Sequence, residues 1–100
     1  MRIIRARMTP LRQRMQEDLQ LRNYSPLTIA CSLRCVADFA QHFDTSPEHL
    51  GPEQVRTYQL FLVQDKQVSW TTVVQTVCAL RFFYRVTLGR PTMLEYLAYP

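Results

Sequence analysis

The clearest pattern of apolar and polar positions lies between Ser69 and Arg85. At about 100° per residue, a helix over this stretch places four large residues on one face, namely Val73, Val77, Leu80 and Tyr84. The other side carries short, neutral hydrogen-bonding side chains, namely Thr71, Thr72 and Gln75, followed by the small Ala79. Such side chains let a helix approach a charged backbone or a base edge closely. The pattern predicts a helix with a core face and a contact face.

Three more helices are predicted from the apolar spacing and from the residues that precede each run. They cover residues 10–22, 26–43 and 52–66, and each begins with a proline, whose missing N–H is harmless at the first helical position. The connection over residues 44–52 has its own short turn. Ser69 caps the fourth helix, and Gly89 ends it in a left-handed conformation. A short fifth helical turn is predicted over residues 92–97.

The inner faces of these helices can be read from the same spacing. Residues 26–43 carry a continuous apolar stripe, made of Ile29, Leu33, Val36, Ala40 and Phe43. Residues 52–66 turn Val55, Tyr58 and Leu62 inward. Trp70 is predicted to pack against the bundle, with stacking on a nucleotide as the alternative. No segment alternates apolar and polar residues with period two over five residues. The sequence therefore predicts an all-α fold of four helices with a short fifth.

Length and charge narrow the class of protein. A chain of 100 residues with 47% hydrophobic residues makes one domain with its own core. The formal net charge is +4, and residues 1–25 alone carry six arginines against two acids. A basic balance of this kind suits a nucleic-acid surface or another anionic partner. No apolar run approaches the roughly 20 residues of a membrane span, and the basic N-terminus lacks a signal-peptide stretch, so we expect a cytoplasmic protein.

The residue types needed for catalysis or metal binding do not occur together in a recognisable motif. Cys31, Cys35 and Cys78 have no further cysteine or histidine pair at zinc-ligand spacing, and they are interpreted as reduced thiols, with a redox switch as the alternative. His42 and His49 are interpreted as solvated side chains. The sequence contains no nucleophile elbow, zincin motif or Walker-type loop. We expect no catalytic residue, metal site, cofactor or small-molecule substrate.

The contact face singles out a small set of candidate binding residues. Two helices begin with hydroxyl-rich first turns, starting at Ser25 and Ser69, where unpaired N–H groups and the helix dipole favour an anion. Plain capping of the helix explains both serines equally well. Thr72, Gln75 and Thr76 are mediocre helix formers, which favours a contact role for them. Arg34 and Arg81 add charge at longer range.

Several segments together resemble one known family. These segments are residues 24–29, Leu33, Phe39, residues 50–55, residues 69–73 and residues 79–84. In order and spacing they resemble the N-terminal SAM-like core-binding domain of tyrosine recombinases, the phage-integrase family. The resemblance runs from about residue 9 to residue 97. It implies a basic arm over residues 1–8, a core-binding domain over residues 9–97, and the start of a linker to a catalytic domain over residues 98–100.

The resemblance also implies a fold and a function. It implies an orthogonal SAM-like bundle that covers one side of double-stranded DNA, with the helices over residues 26–43 and 69–88 facing the duplex. The implied contact residues are Ser25, Thr28, Thr72, Gln75, Thr76 and Arg81. It further implies self-assembly on DNA through a full-length form and no catalysis by these residues alone. We expect the two helix starts to lie side by side against one groove.

A second interpretation of the same helices is a protein-interaction domain with no nucleic-acid role. Its interface would use apolar residues on the helix over residues 52–66, such as Leu60 and Phe61. Complete failure to bind any duplex, together with stable dimerisation, would favour this interpretation. A small helical enzyme or metal protein is the third interpretation, which metal analysis of the purified protein addresses.

Overall fold

The computed structural model of the protein describes residues 10–90. The predicted basic arm over residues 1–8, the helical turn over residues 92–97 and the linker over residues 98–100 lie outside the described residues. Four α-helices follow one another: α1 (Pro10–Leu21), α2 (Pro26–Phe43), α3 (Pro52–Leu60) and α4 (Trp70–Phe82). A 3₁₀ helix, Pro47–His49, lies in the connection between α2 and α3. No strand occurs between residues 10 and 90, and the all-α, four-helix prediction is confirmed.

Local chemistry explains where α2 and α4 begin and end. Ser25 and Ser69 hold extended backbone angles, and each serine oxygen accepts the N–H of the residue three positions later. Asp44 ends α2 in the left-handed region with φ of 50°. Gly89 has φ of 67°, the conformation predicted for it, and only glycine adopts it without strain.

The last turns of the third and fourth helices are wider than an α-helix. Each helix continues into a five-residue π-helical segment, Phe61–Asp65 after α3 and Phe83–Thr87 after α4. The Lys66 N–H donates to the Phe61 carbonyl at 2.9 Å, and the Leu88 N–H donates to the Phe83 carbonyl at 2.9 Å. The helical path therefore runs through to the predicted ends near residues 66 and 88.

The core lies where the four apolar faces meet. Its fully enclosed side chains include Met15, Leu19, Phe39, Val55, Val77, Leu80, Phe83 and Tyr84. The Phe39 ring meets the rings of Phe43 and Tyr58 edge-on, with centroids 5.5 and 5.3 Å away. Val73, Val77, Leu80 and Tyr84 are all buried, as the spacing along α4 predicts.

Two polar contacts fix the C-terminal part of α4 against the rest of the bundle. The Tyr84 hydroxyl donates to the Pro47 carbonyl at 2.6 Å, and burial raises the pKa of this phenol. The Thr87 hydroxyl donates to a carboxylate oxygen of Asp18 at 3.0 Å. These bonds connect α4 to the 3₁₀ helix and to α1. The direction of α4, and with it the position of its polar face, is thereby fixed.

The structure corrects one prediction about packing. Trp70 was predicted to pack against the bundle, but its side chain is 65% exposed. Trp70 is the first residue of α4, and the core face of this helix begins at Val73. The indole therefore lies at the rim of the bundle, beside the polar start of α4.

Candidate nucleic-acid interface

Matching pairs of hydroxyl groups stand at the starts of α2 and α4. The Ser25 hydroxyl donates to Thr28 Oγ1 at 3.0 Å and accepts the Thr28 N–H at 3.2 Å. In α4 the hydroxyls of Ser69 and Thr72 lie 3.1 Å apart, and Ser69 accepts the Thr72 N–H at 3.2 Å. Both serines therefore cap their helices. Each threonine stands at the third helical position, bonded to its serine.

Side chains of α2 and α4 meet at several points. The ring of Tyr24, just before α2, meets the ring of Phe82 at the end of α4, with centroids 6.1 Å apart. Further along α2, Cys31 lies beside Gln75, with 4.0 Å between Sγ and Oε1. One turn later, Cys35 lies beside Thr76, with 3.8 Å between Sγ and Oγ1. Two successive turns of α2 thus meet neighbouring residues of α4.

The two helix starts lie close to this contact along their own helices. Thr28 precedes Cys31 by three residues, and Thr72 precedes Gln75 by three residues, which is about 4.5 Å of helical rise in each case. Each start therefore lies within one turn of the Cys31–Gln75 contact. That the two starts lie side by side against one groove stays a prediction.

A continuous row of uncharged polar side chains crosses from α2 to α4. We call it the uncharged strip, and it consists of Thr28, Cys31, Gln75 and Thr71, all of them exposed. Thr28 and Cys31 are neighbours on α2, and Gln75 and Thr71 are neighbours on α4. The Cys31–Gln75 contact joins the two halves. The strip is therefore one surface built from two helices.

The seven predicted contact residues differ in accessibility. Ser25, Thr28, Arg34 and Gln75 are exposed, Thr72 and Arg81 are half-buried, and Thr76 is buried. Thr28 lies on the α2 side of the contact between the two helices, and Thr72 and Gln75 lie on its α4 side. Arg34 lies one turn beyond Cys31 on α2, where its Nε is 3.9 Å from Asp38 Oδ2 in an exposed pair.

Thr76, a predicted contact residue, is buried between α2 and α4 and does not lie on the exposed surface. Its side chain is only 5% exposed, and its hydroxyl donates to the sulfur of Cys35 at 3.8 Å inside the α2–α4 packing. Burial also raises the pKa of the Cys35 thiol, which therefore stays protonated. Thr76 lies about 100° around the helix from Gln75, and this rotation is enough to turn it into the bundle.

Cys31, within the strip, and Leu27, beside it, are exposed residues that were not among the seven predicted contacts. Cys31 was placed on the outer side of the helix by its spacing, but it was interpreted only as a thiol. Leu27 is 80% exposed and precedes Cys31 by one turn. The Ser-Pro start that places Leu27 before the first core residue, Ile29, was the signal that could have identified it as an outward-facing residue.

The first turns of α2 and α4 differ in charge from the first turn of α3. No acidic residue occurs in the first turn of α2 or α4. By contrast, α3 has Glu53 in its first turn, and its third position is Gln54, whose Oε1 accepts the Gly51 N–H at 2.8 Å. Residues 70–87 contain two arginines, Arg81 and Arg85, and no acid. The surface of α4 is therefore compatible with an anionic partner.

Neither a metal-binding cluster nor a membrane-spanning helix occurs within residues 10–90. No group of three or more histidine, cysteine or acidic side chains converges there in a way that would hold a metal ion. Within the same residues, no helix has the length and apolar character of a membrane span.

These features define an all-α, SAM-like bundle with an uncharged strip across one helix pair. The chain matches the family model described as "Phage integrase, N-terminal SAM-like domain" over residues 11–93. The chain therefore belongs to this family of N-terminal domains, within the tyrosine recombinases. The family predicted from the sequence is confirmed. No solved structure shows a significant match to the chain.

Two curated relatives agree with this assignment. A protein of Sinorhizobium fredii (strain NBRC 101917 / NGR234) named "Putative integrase/recombinase y4qK" is 49% identical over 83 residues, which is 83% of this chain and 27% of the relative. A second protein of the same strain, "Putative integrase/recombinase y4eF", is 44% identical over 41 residues, which is 41% of this chain and 16% of the relative. The chain thus spans about a quarter of the first relative and less of the second.

Proposed function

We propose that this domain binds double-stranded DNA as one half of the clamp of a tyrosine-type site-specific recombinase. The uncharged strip and the starts of α2 and α4 face the duplex. Catalysis belongs to another domain of such a recombinase, and the described residues contribute binding and placement. The domain division into a basic arm over residues 1–8, a core over residues 9–97 and a linker from residue 98 is part of the same proposal.

The observation that carries the proposal is the pair of threonines at the third helical position. A Ser-x-x-Glu capping box, with a carboxylate near the positive end of the helix dipole, would stabilise both starts. Both α2 and α4 have Ser-x-x-Thr instead. A carboxylate there would repel a phosphate, whereas a hydroxyl donates to it. The choice of threonine at both starts is explained by an anionic partner.

The nearness of the two starts to one contact supports a duplex as that partner. Thr28 and Thr72 each lie within one turn of the Cys31–Gln75 contact, so one extended anion can meet both starts. The phosphate backbone of double-stranded DNA is such an anion.

A salt titration tests DNA binding directly. We expect the 100-residue chain to bind duplex DNA weakly, with an affinity that falls steeply between about 50 mM and 200 mM salt, because each phosphate contact releases counterions. Fluorescence anisotropy of a labelled duplex measures the affinity at each salt concentration, and the slope of log affinity against log salt concentration gives the salt dependence. An affinity that does not change with salt would contradict the proposal, as would the absence of binding at the lowest salt.

An apolar surface on the third helix favours a second candidate function, contact with another protein. Leu60 and Val63 are 43% and 49% exposed, next to the partly buried Phe61. Self-assembly of full-length recombinase copies on DNA is compatible with such a surface. Stable dimers that bind no duplex would favour protein interaction as the main role.

A further inference from the structure

Gln75 holds a central position in the uncharged strip. Its side chain is exposed, and its amide oxygen lies 4.0 Å from Cys31 Sγ, at the contact between α2 and α4. The starts of α2 and α4 each lie within one turn of this contact. When both starts meet the duplex, Gln75 therefore lies on the same surface, close to the DNA.

The chemistry around Gln75 suits base recognition. The neighbouring positions on α4 are Thr71 and Cys78, and the facing position on α2 is Cys31, all of them uncharged and exposed. Amides, hydroxyls and apolar groups can all read base edges. In the proposed complex the phosphate contacts are made by the two helix starts and by arginines further along both helices, which leaves Gln75 for the bases.

An amide side chain has a specific complement among the bases. It offers one acceptor and one donor, which match the N6 amino group and the N7 atom of adenine in the major groove. Gln75 is the only amide side chain between Trp70 and Thr87. Leu27, 80% exposed and one turn from Cys31, offers an apolar contact for a thymine methyl group.

The contact that Gln75 makes within the protein is too weak to account for a glutamine at this position. A thiol is a poor hydrogen-bond donor, and 4.0 Å is the outer limit for a sulfur contact. The core face of α4 lies on the opposite side of the helix, at Val73, Val77 and Leu80. Replacing Gln75 should therefore leave the thermal unfolding midpoint unchanged.

We propose that Gln75 is the residue with which this domain selects an A·T base pair, through a two-bond contact between its amide and adenine. The inference rests on the proposed function, since it assigns a sequence preference to the same surface.

The experiment selects duplexes from a randomised pool with the 100-residue chain, at low salt, and sequences the bound fraction. We expect the wild type to enrich adenine at one position by at least about fivefold, the discrimination typical of a two-bond contact. Gln75→Ala should lose the enrichment at that position alone. Gln75→Arg should enrich guanine there, since a guanidinium pairs with O6 and N7 of guanine.

Thr57→Ala, an exposed change on α3, is the matched control and should leave the adenine enrichment intact. If the wild type and Gln75→Ala both recover DNA with the same base preference, or with none, the role of Gln75 is overturned. DNA binding itself would stand. Recovery of no duplex by any variant would overturn the proposed function as well.

Discussion

Replacing Phe39 with alanine is expected to lower the free energy of unfolding by about 3–5 kcal/mol. Phe39 is 0% exposed and makes edge-on contacts with the rings of Phe43 and Tyr58. Truncation leaves a cavity where α2 meets α3, in addition to the lost transfer free energy. Domains of this size have total stabilities at or below about 5–15 kcal/mol, so the variant should be largely unfolded in modest denaturant. Urea unfolding followed by circular dichroism measures the change.

Leu27→Ala is the matched control for this prediction. Leu27 lies on the same helix but is 80% exposed, so its replacement should change the free energy of unfolding by less than about 0.5 kcal/mol. Equal unfolding midpoints for Phe39→Ala and the wild type would show that the aromatic cluster does not support the bundle as described.

The double variant Thr28→Glu/Thr72→Glu is expected to lose DNA binding while remaining fully folded. The two carboxylates would meet phosphates at both helix starts, and we expect affinity to fall by about tenfold or more at low salt. Each substitution also completes a Ser-x-x-Glu capping box, so stability should stay the same or rise by about 0.3–1 kcal/mol per helix. Anisotropy titration and thermal unfolding of the same preparations measure the two effects.

A control with the same charge separates local contact from general repulsion. Thr57→Glu/Gln64→Glu also adds two carboxylates, both at exposed positions in the segment from α3 to the following π-helical turn. It should weaken binding much less than the variant at the two helix starts. An equal loss for the two double variants would mean that only net charge matters and that the helix starts make no contact.

Most of the bundle could be predicted from the sequence because its start and stop signals are local. Ser25-Pro26 and Ser69 set the first turns of α2 and α4, and Gly89 sets the left-handed end. The spacing of Val73, Val77 and Leu80 fixes one inner face. Each signal depends on residues within one or two turns, so no knowledge of tertiary packing was needed.

The parts that could not be predicted depend on how two helices meet. Thr76 and Gln75 are adjacent and equally polar, and only the position of α2 decides that Thr76 is buried against Cys35. The contact between Cys31 and Gln75 likewise depends on how α2 meets α4. Trp70 was predicted to pack against the bundle, although it precedes Val73, the first core position of its helix.

The central claim is that the uncharged strip and the two helix starts form the surface that meets DNA. The most direct test follows the backbone amide signals of the isotope-labelled chain by nuclear magnetic resonance while unlabelled duplex is added. We predict that the largest shifts fall on Thr28, Cys31, Thr71 and Gln75, on both helices at once. Shifts confined to α3 and the Phe61–Asp65 turn, with none in the strip, would contradict it.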